Sequence, residues 1–316
     1  MTDQQSDDLA AVRAIARHVS EPPRMPSVPL KLRVKTSPHV RGLIPTSLAV
    51  ALSEKRAAAS WEHDGHERER ALAAMRTLLA DTPRAGELNE LARAHVIESR
   101  VRETLFWQRW RVPSMDVSSR ARMQEALGAG RGVIVSPCHH GPFFQQNGAI
   151  CACGATVWSV TGPWWFEDPT PDVWGRRVAR WQIGLRKRTQ YHIPTEGAYD
   201  SLLTLLKHRQ VVSLYFDMPG SRPTSFFGKR VSLASGTSRL ASESDALVVP
   251  VRPRRARHRM WVDVLPPLDP RDFSDREELH DALAATHERL LLENPAAVED
   301  PNREGSWGAQ PAAQAV

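Results

Sequence analysis

The chain has 316 residues, 41% of them hydrophobic, with 42 Lys and Arg against 36 Asp and Glu, for a formal net charge of +6. That apolar content is enough for a sizeable buried core and excludes a disordered chain. Only three cysteines, Cys138, Cys151 and Cys153, exclude a disulfide framework and fit a reducing compartment.

The opening residues lack a basic segment followed by an apolar one, and no window approaches about 18 uninterrupted apolar residues. The expectation is a cytoplasmic protein, at most touching an anionic membrane surface from outside, where its positive charge would be drawn. Residues 1–41 read as an N-terminal helix and the proline-rich linker "EPPRMPSVP". Residues 42–118 read as a helical region that packs on the core. "TSLAVALSEKRAAASWE" has helical spacing, with Thr46 or Ser47 as N-cap. "ERERALAAMRTLLADTP" repeats the pattern as far as Pro83, and a third helix follows with an aromatic end.

Residues 119–293 change texture. "ARMQEALGAG" is a helix closed by glycine. "RGVIVSP" is a continuous apolar run, as in a parallel strand buried on both faces. A helix over roughly 143–151 comes next, then strands at "ATVWSVT", "TQYHIP", "VVSLYFDM" and "ALVVPVRP". Helices at "VWGRRVARWQIGL", "AYDSLLTLLKHRQ" and "SGTSRLASES" lie between them. "RMWVDVLPPL" is an edge strand, "DREELHDALAATHERLLLE" the last long helix, and residues 294–316 a frayed tail. Strands and helices alternate at βαβ spacing. The fold class is therefore α/β, a mainly parallel central sheet flanked by helices, with a helical N-terminal region.

Ligands in such sheets bind beyond the carboxyl ends of the strands. The stretch "VIVSPCHHGPFFQQ" places Cys138, His139 and His140 just past the end of the first strand, and Asp217 follows the fourth. A histidine there suits general-base chemistry, because imidazole titrates near neutrality. It needs an acceptor on its other ring nitrogen. Five positions beyond His139 is Phe144, and beyond His140 is Gln145, whose amide oxygen would orient a ring without adding charge. Glu167 and Asp168, in the tryptophan-rich "TGPWWFEDPTPDVW", are candidate partner acids, with core anchoring by the aromatics as the plain alternative.

Arg222, Lys229, Arg230, Ser235 and Arg239 form a second cluster, read as an anion-binding site with a solvated loop as its alternative. The run "RPRRARHRM" reads as a solvated hairpin or a contact with an anionic surface. It lacks the interleaved aromatics of a nucleic-acid module, so no nucleic-acid partner is expected. Cys151 and Cys153 are too closely spaced for a zinc knuckle and read as core thiols; no metal site is expected.

Taken in order, "GRGVIVSPCHHGPFFQQ", "LLTLLKHRQVVSLYFDMPG", "FFGKRVSLASGTSRLA" and "ALVVPVRP" resemble the lysophospholipid acyltransferase superfamily. The nearest branch resembles the late lipid A acyltransferases and the phosphatidylinositol mannoside acyltransferases, over roughly residues 40–270. The resemblance implies a glycerolipid acyltransferase-like fold and acyl transfer from a thioester to a hydroxyl. A histidine and an acid in an H-x4-D/E motif would act as base and orienter. His139 falls on that histidine, and the acid position falls on Phe144, or on Gln145 if the frame slips by one. Asp217 falls on the acid of the family's Asp-Gln step, with Met218 in place of the glutamine. The chain thus departs from the motif at its acid, and it also lacks the branch's apolar N-terminal membrane segment.

Three functions follow as expectations. The first is an acyltransferase-like enzyme in which His139 or His140, aided by Gln145 or Asp217, activates a hydroxyl or amine acceptor. The donor would be a thioester co-substrate, acyl-CoA or an acyl carrier protein, with no bound cofactor. The partners would be a small-molecule or carrier-tethered substrate. The second is a repurposed member in specialised metabolism, such as antibiotic biosynthesis. It would close a ring by intramolecular amine substitution with loss of sulfate or phosphate. The third is an inactive partner subunit bound to a small protein.

Overall fold

The computed structural model describes residues 3–19, 29–35, 37, 40, 43–106, 112–162 and 189–301. The expected helix at 173–185, most of the tryptophan-rich loop, and residues 302–316 lie outside them.

The chain opens with α1 (Asp3–Val19) and α2 (Leu30–Lys35), then α3 (Thr46–His63), α4 (Gly65–Leu79) and α5 (Leu88–Phe106). Helix α1 packs on the core through Leu9, Val12 and Ala16, which are buried. Helix α4 starts where Asp64 accepts a hydrogen bond from the Glu67 amide at 3.0 Å, an ordinary side-chain N-cap. Helix α3 does not follow the expected capping. Pro45 sits at its N-cap with no side-chain bond, and Thr46 is already helical and buried. The rigid φ of Pro45 and its carbonyl, which accepts from the Ala49 amide at 3.0 Å, start the helix instead. Among the described residues no helix is long and apolar enough to cross a membrane.

The α/β part begins with α6 (Val117–Gly128) and continues through β1 (Val133–Ser136), α7 (Gln146–Cys151), β2 (Val157–Thr161), β3 (Gln190–Pro194), α8 (Ala198–Lys207) and β4 (Val211–Ser213). It ends with β5 (Pro219–Phe226), β6 (Lys229–Leu233), α9 (Gly236–Ser244), β7 (Leu247–Ala256), β8 (Arg259–Val264) and α10 (Arg276–Glu293). Six strands form the central sheet in the order β3-β2-β4-β1-β7-β8. All neighbours run parallel except the edge pair β7–β8. The class expected from strand–helix alternation is the class observed.

Strand β1 is central, and all four of its residues are buried. Alternation sends its side chains to two cores. Ile134, Trp158, Val212 and Val248 belong to one, with Leu205, Leu240 and Leu283 from α8, α9 and α10. Val133, Val135, Val157, Val211 and Val249 belong to the other, with Met123 of α6 and Ile150 of α7. Each such side chain contributes about 1.5–3 kcal/mol by leaving water.

Two expectations need correction. "VVSLYFDM" is a strand only over its first three residues, because the chain leaves the ladder at Leu214. "DMPGSRP" is not a turn; β5 and β6 form an antiparallel hairpin there. Its actual turn is Phe227-Gly228, with φ of 56° and 72°, the left-handed pair of a tight hairpin. Phe-Gly lacks the usual Asn-Gly or Asp-Gly signature, and Pro-Gly eight residues earlier drew the turn to the wrong place.

Candidate active site

The His139–His140–Gly141 turn leaves the end of β1 and doubles back tightly. Gly141 has φ +56°, and a Cβ there would sit 2.7 Å from the Pro253 carbonyl oxygen of β7. Only glycine fits both the backbone conformation and that approach. The segment after β4 runs beside this turn without a regular ladder. The Leu214 amide donates to Val135 O at 3.0 Å and the Phe216 amide to Pro137 O at 2.8 Å. These bonds carry Asp217 to the imidazole.

Asp217 Oδ1 lies 2.9 Å from His139 Nδ1, and its Oδ2 accepts the His139 backbone amide, also at 2.9 Å. The carboxylate is buried, and these two donors satisfy a charge that would otherwise be costly to bury. The arrangement selects the tautomer with Nδ1–H toward the carboxylate and the ring's acceptor lone pair on Nε2. Tyr215 stacks on the imidazole with ring centroids 4.0 Å apart, and Phe143 meets it edge-on at 5.0 Å. The partner missing from the following helix is thus supplied across the sheet, from a strand end 78 residues on.

His140 is turned the other way. Its Nε2 donates to Asn294 O at 2.9 Å, and it forms an antiparallel bridge with Val298. Burial lowers its pKa from the ordinary imidazole value, which favours the neutral ring. Its neighbours complete a clasp on the segment after α10: Gly141 N donates to Ala297 O and Glu299 N to His139 O, both at 2.9 Å. Residues 294–298 were expected to fray; Pro295 to Val298 are instead buried against the site. Gln145 is buried as well, and its Nε2 donates to Leu105 O at 2.8 Å. It ties α5 to the turn and does not orient an imidazole. Cys138 is fully buried, and burial pushes its thiol pKa well up, so it is no nucleophile. Glu167 and Asp168 lie outside the described residues.

His139 opens onto a cavity of about 1100 Å³, large enough for a chain of a dozen or more carbons with its head group. Its walls are mostly apolar, from Phe143, Phe144, Val160, Leu202, Leu214 and Leu240. Polar side chains enter from β2, β3 and α7, among them Ser159, His192 and Asn147. The Thr161 hydroxyl pairs with His192 Nδ1 at 2.8 Å. Tyr215, Asn147 and His192 escaped the sequence reading, because each looks like a packing residue of a strand end or short helix. Only the spacing Tyr215-x-Asp217 hinted at the first.

The basic cluster does not join this cavity: none of Arg222, Lys229, Arg230, Ser235 and Arg239 lies in its wall. Arg222 faces Asp281 at 3.5 Å and Glu277 at 3.8 Å on α10. Lys229 donates to Thr77 O and lies 3.8 Å from Asp81 at the end of α4. Arg230 is exposed. Arg239 covers the Tyr199 ring at 4.2 Å and pairs with Glu243 at 2.9 Å. Ser235 precedes α9, and its carbonyl accepts the Ser238 hydroxyl at 3.1 Å. The run at 252–260 is largely neutralised within the fold. Arg252 and Arg254 pair with Asp263, and Arg255 pairs with Glu54 and Glu98. Among the described residues no group of three His, Cys, Asp or Glu side chains could hold a metal.

No protein-family model matches the sequence, and no curated protein matches it closely enough to count as a relative. Among solved structures the chain is similar to the 1-acyl-sn-glycerophosphate acyltransferase PlsC of Thermotoga maritima. The identity is 17%, over 81% of this chain and 97% of that one, with a TM-score of 0.39.

Proposed function

We propose that the chain is an acyltransferase-type enzyme in which His139, held by Asp217, is the general base. One observation carries this reading: a buried carboxylate 2.9 Å from an imidazole that opens onto a large, mostly apolar cavity. The apolar walls suit the acyl chain of a thioester donor, CoA- or carrier-bound. Nε2 of His139 takes the proton of an acceptor hydroxyl or amine as that atom attacks the thioester carbonyl. The C–S bond then breaks, and the imidazolium returns the proton to the departing thiolate. Asp217 supports the imidazolium in between. The motif resemblance to lysophospholipid acyltransferases supports the same reading, with Asp217 taking over the work of the acid absent at position 144.

Amine substitution with loss of sulfate or phosphate is the less favoured chemistry. It needs a cationic cradle for the leaving group, and the described cavity-wall residues include no Lys or Arg. The dyad also speaks against an inactive subunit, which has no use for a paired imidazole at a cavity. The test is release of free thiol from decanoyl-CoA, with and without added hydroxyl and amine acceptors. Activity in the wild type, lost in His139→Ala and kept in His140→Gln, supports the proposal. Full activity in His139→Ala overturns it.

A further inference from the structure

The cavity is not uniformly greasy. Ser159 of β2 and Ser213 of β4 are register partners on adjacent parallel strands, so their side chains emerge side by side on one face. Asn147 of α7 lies over them, and its Nδ2 donates to Ser159 Oγ at 2.9 Å. All three line the cavity wall. They are buried nonetheless: 7% exposed for Asn147 and Ser159, 2% for Ser213. Asn147 Oδ1 and Ser213 Oγ have no hydrogen-bond partner among the described residues. Leaving two such atoms dry costs about 1–3 kcal/mol each, and valine or leucine would fill the same wall without that cost. Polar atoms held unpaired at a cavity wall fit a ligand that completes them.

We propose that Asn147, Ser159 and Ser213 form a recognition site for one neutral group bearing both a donor and an acceptor, a secondary amide, within an otherwise apolar ligand. The amide N–H would donate to Asn147 Oδ1, and the Ser213 hydroxyl would donate to the amide carbonyl. A strong anion is not favoured, because the described cavity-wall residues include no Lys or Arg to join the three. An all-hydrocarbon chain would leave both atoms dry. This deepens the reading of the cavity as the acyl-transfer site, by requiring an amide in either the donor's thiol arm or the acceptor. It is tested by binding alone, so it stands or falls separately from turnover.

The full chain would be titrated, by NMR or calorimetry, with N-butylpentanamide and with its N-methylated analogue, which has lost the donor. The expected result is about tenfold tighter binding of the secondary amide. That preference should vanish in Ser213→Ala and in Asn147→Ala, while the melting temperature of the ligand-free Ser213→Ala variant stays level or rises. S-Hexanoyl-N-acetylcysteamine, with its amide beside the thioester, locates the source. If it shows the same Ser213-dependent gain, the amide belongs to the donor's arm; if it binds without that gain, it belongs to the acceptor. Equal binding of the two pentanamides would overturn the proposal. So would a Ser213→Ala variant that melts lower yet keeps the preference, which marks a structural, water-filled pocket.

Discussion

The turn after β1 and the hairpin β5–β6 both carry polar side chains close in sequence to a strand end, yet the fold uses them in opposite ways. At the turn, the chain brings His139 and Asp217 together from two strands and leaves the imidazole open to a cavity. At the hairpin, Arg222 and Lys229 reach back to α10 and α4 and meet carboxylates or carbonyls there. The difference teaches that charge density in a sequence does not locate chemistry. A titratable group is a candidate for chemistry where a dedicated partner and an accessible void coincide, and a weaker one where partners coincide without the void.

Activity is the sharpest way to break that contrast. Replacing His139 by Ala should lower turnover by about 10³–10⁴, and Asp217→Asn by about 10²–10⁴, since the amide cannot support an imidazolium. Arg222→Ala and Lys229→Ala should leave kcat and KM within about twofold, because neither of these half-buried side chains lines the cavity. Steady-state thiol release reads all four. A loss in Arg222→Ala matching that in Asp217→Asn would erase the distinction between the two regions.

Backbone geometry gives the next largest effect. Gly141→Ala forces a Cβ into the left-handed region and against Pro253 O. Together these should cost about 2–4 kcal/mol, read by urea unfolding. Because Gly141 N also grips Ala297 O, the same change should loosen the clasp at 294–299 and lower activity beyond the stability loss. An alanine variant as stable as the wild type would show that the turn is less tightly set than the structure indicates.

How much of this was legible beforehand follows from range. The central sheet was readable because apolar runs such as Val133–Val135 and Leu247–Val249 encode burial on both faces locally. The candidate base was readable because a His-His-Gly turn ended such a run. Its partner was legible only as one candidate among several: Asp217 stood with Gln145, Glu167 and Asp168, and local sequence cannot choose among them, because Asp217 arrives across the sheet and not along the helix. The roles of His140 and Gln145 were hidden for the same reason: they are settled by Asn294 and Leu105, 154 and 40 residues away. The hairpin was missed through local chemistry alone, since Phe227-Gly228 takes a turn usually marked by Asn-Gly.

Buried histidines extend the comparison from an imidazole at the cavity to imidazoles sealed in the core. His280 and His287 on α10 are packed against Phe216, and burial lowers both pKa values from 6.5 to about 4. Their ring-nitrogen contacts with hydroxyls, Thr224 at 2.9 Å and Ser136 at 3.2 Å, suit neutral rings. A group whose folded pKa is lowered in this way takes up protons on unfolding between pH 6.5 and 4. Stability therefore falls as pH drops through that window and is constant above it. At pH 5.5 each histidine should have removed about 1 kcal/mol. Urea midpoints between pH 8 and 5 read the slope, and His287→Gln should flatten it while keeping a hydrogen-bonding group beside Ser136. An unchanged slope would mean that His287 is already charged, or wetter, in the folded protein.

The smallest effect isolates what the hairpin's charges do. Arg222 is held by two carboxylates of α10 that are themselves 42% and 63% exposed, so water screens the pairing. Removing it by Arg222→Met, which keeps most of the side chain's packing, should cost only about 0.2–1 kcal/mol, and the cost should shrink as salt is raised. Burying such a charge unpaired would cost several times more, so the size of the change separates a solvated anchor from an anion site awaiting its ligand. The second case carries its own signature: inorganic phosphate or sulfate at millimolar concentration would raise the melting temperature of the wild type more than that of Arg222→Met. With the guanidinium already facing Glu277 and Asp281, both proteins should respond alike.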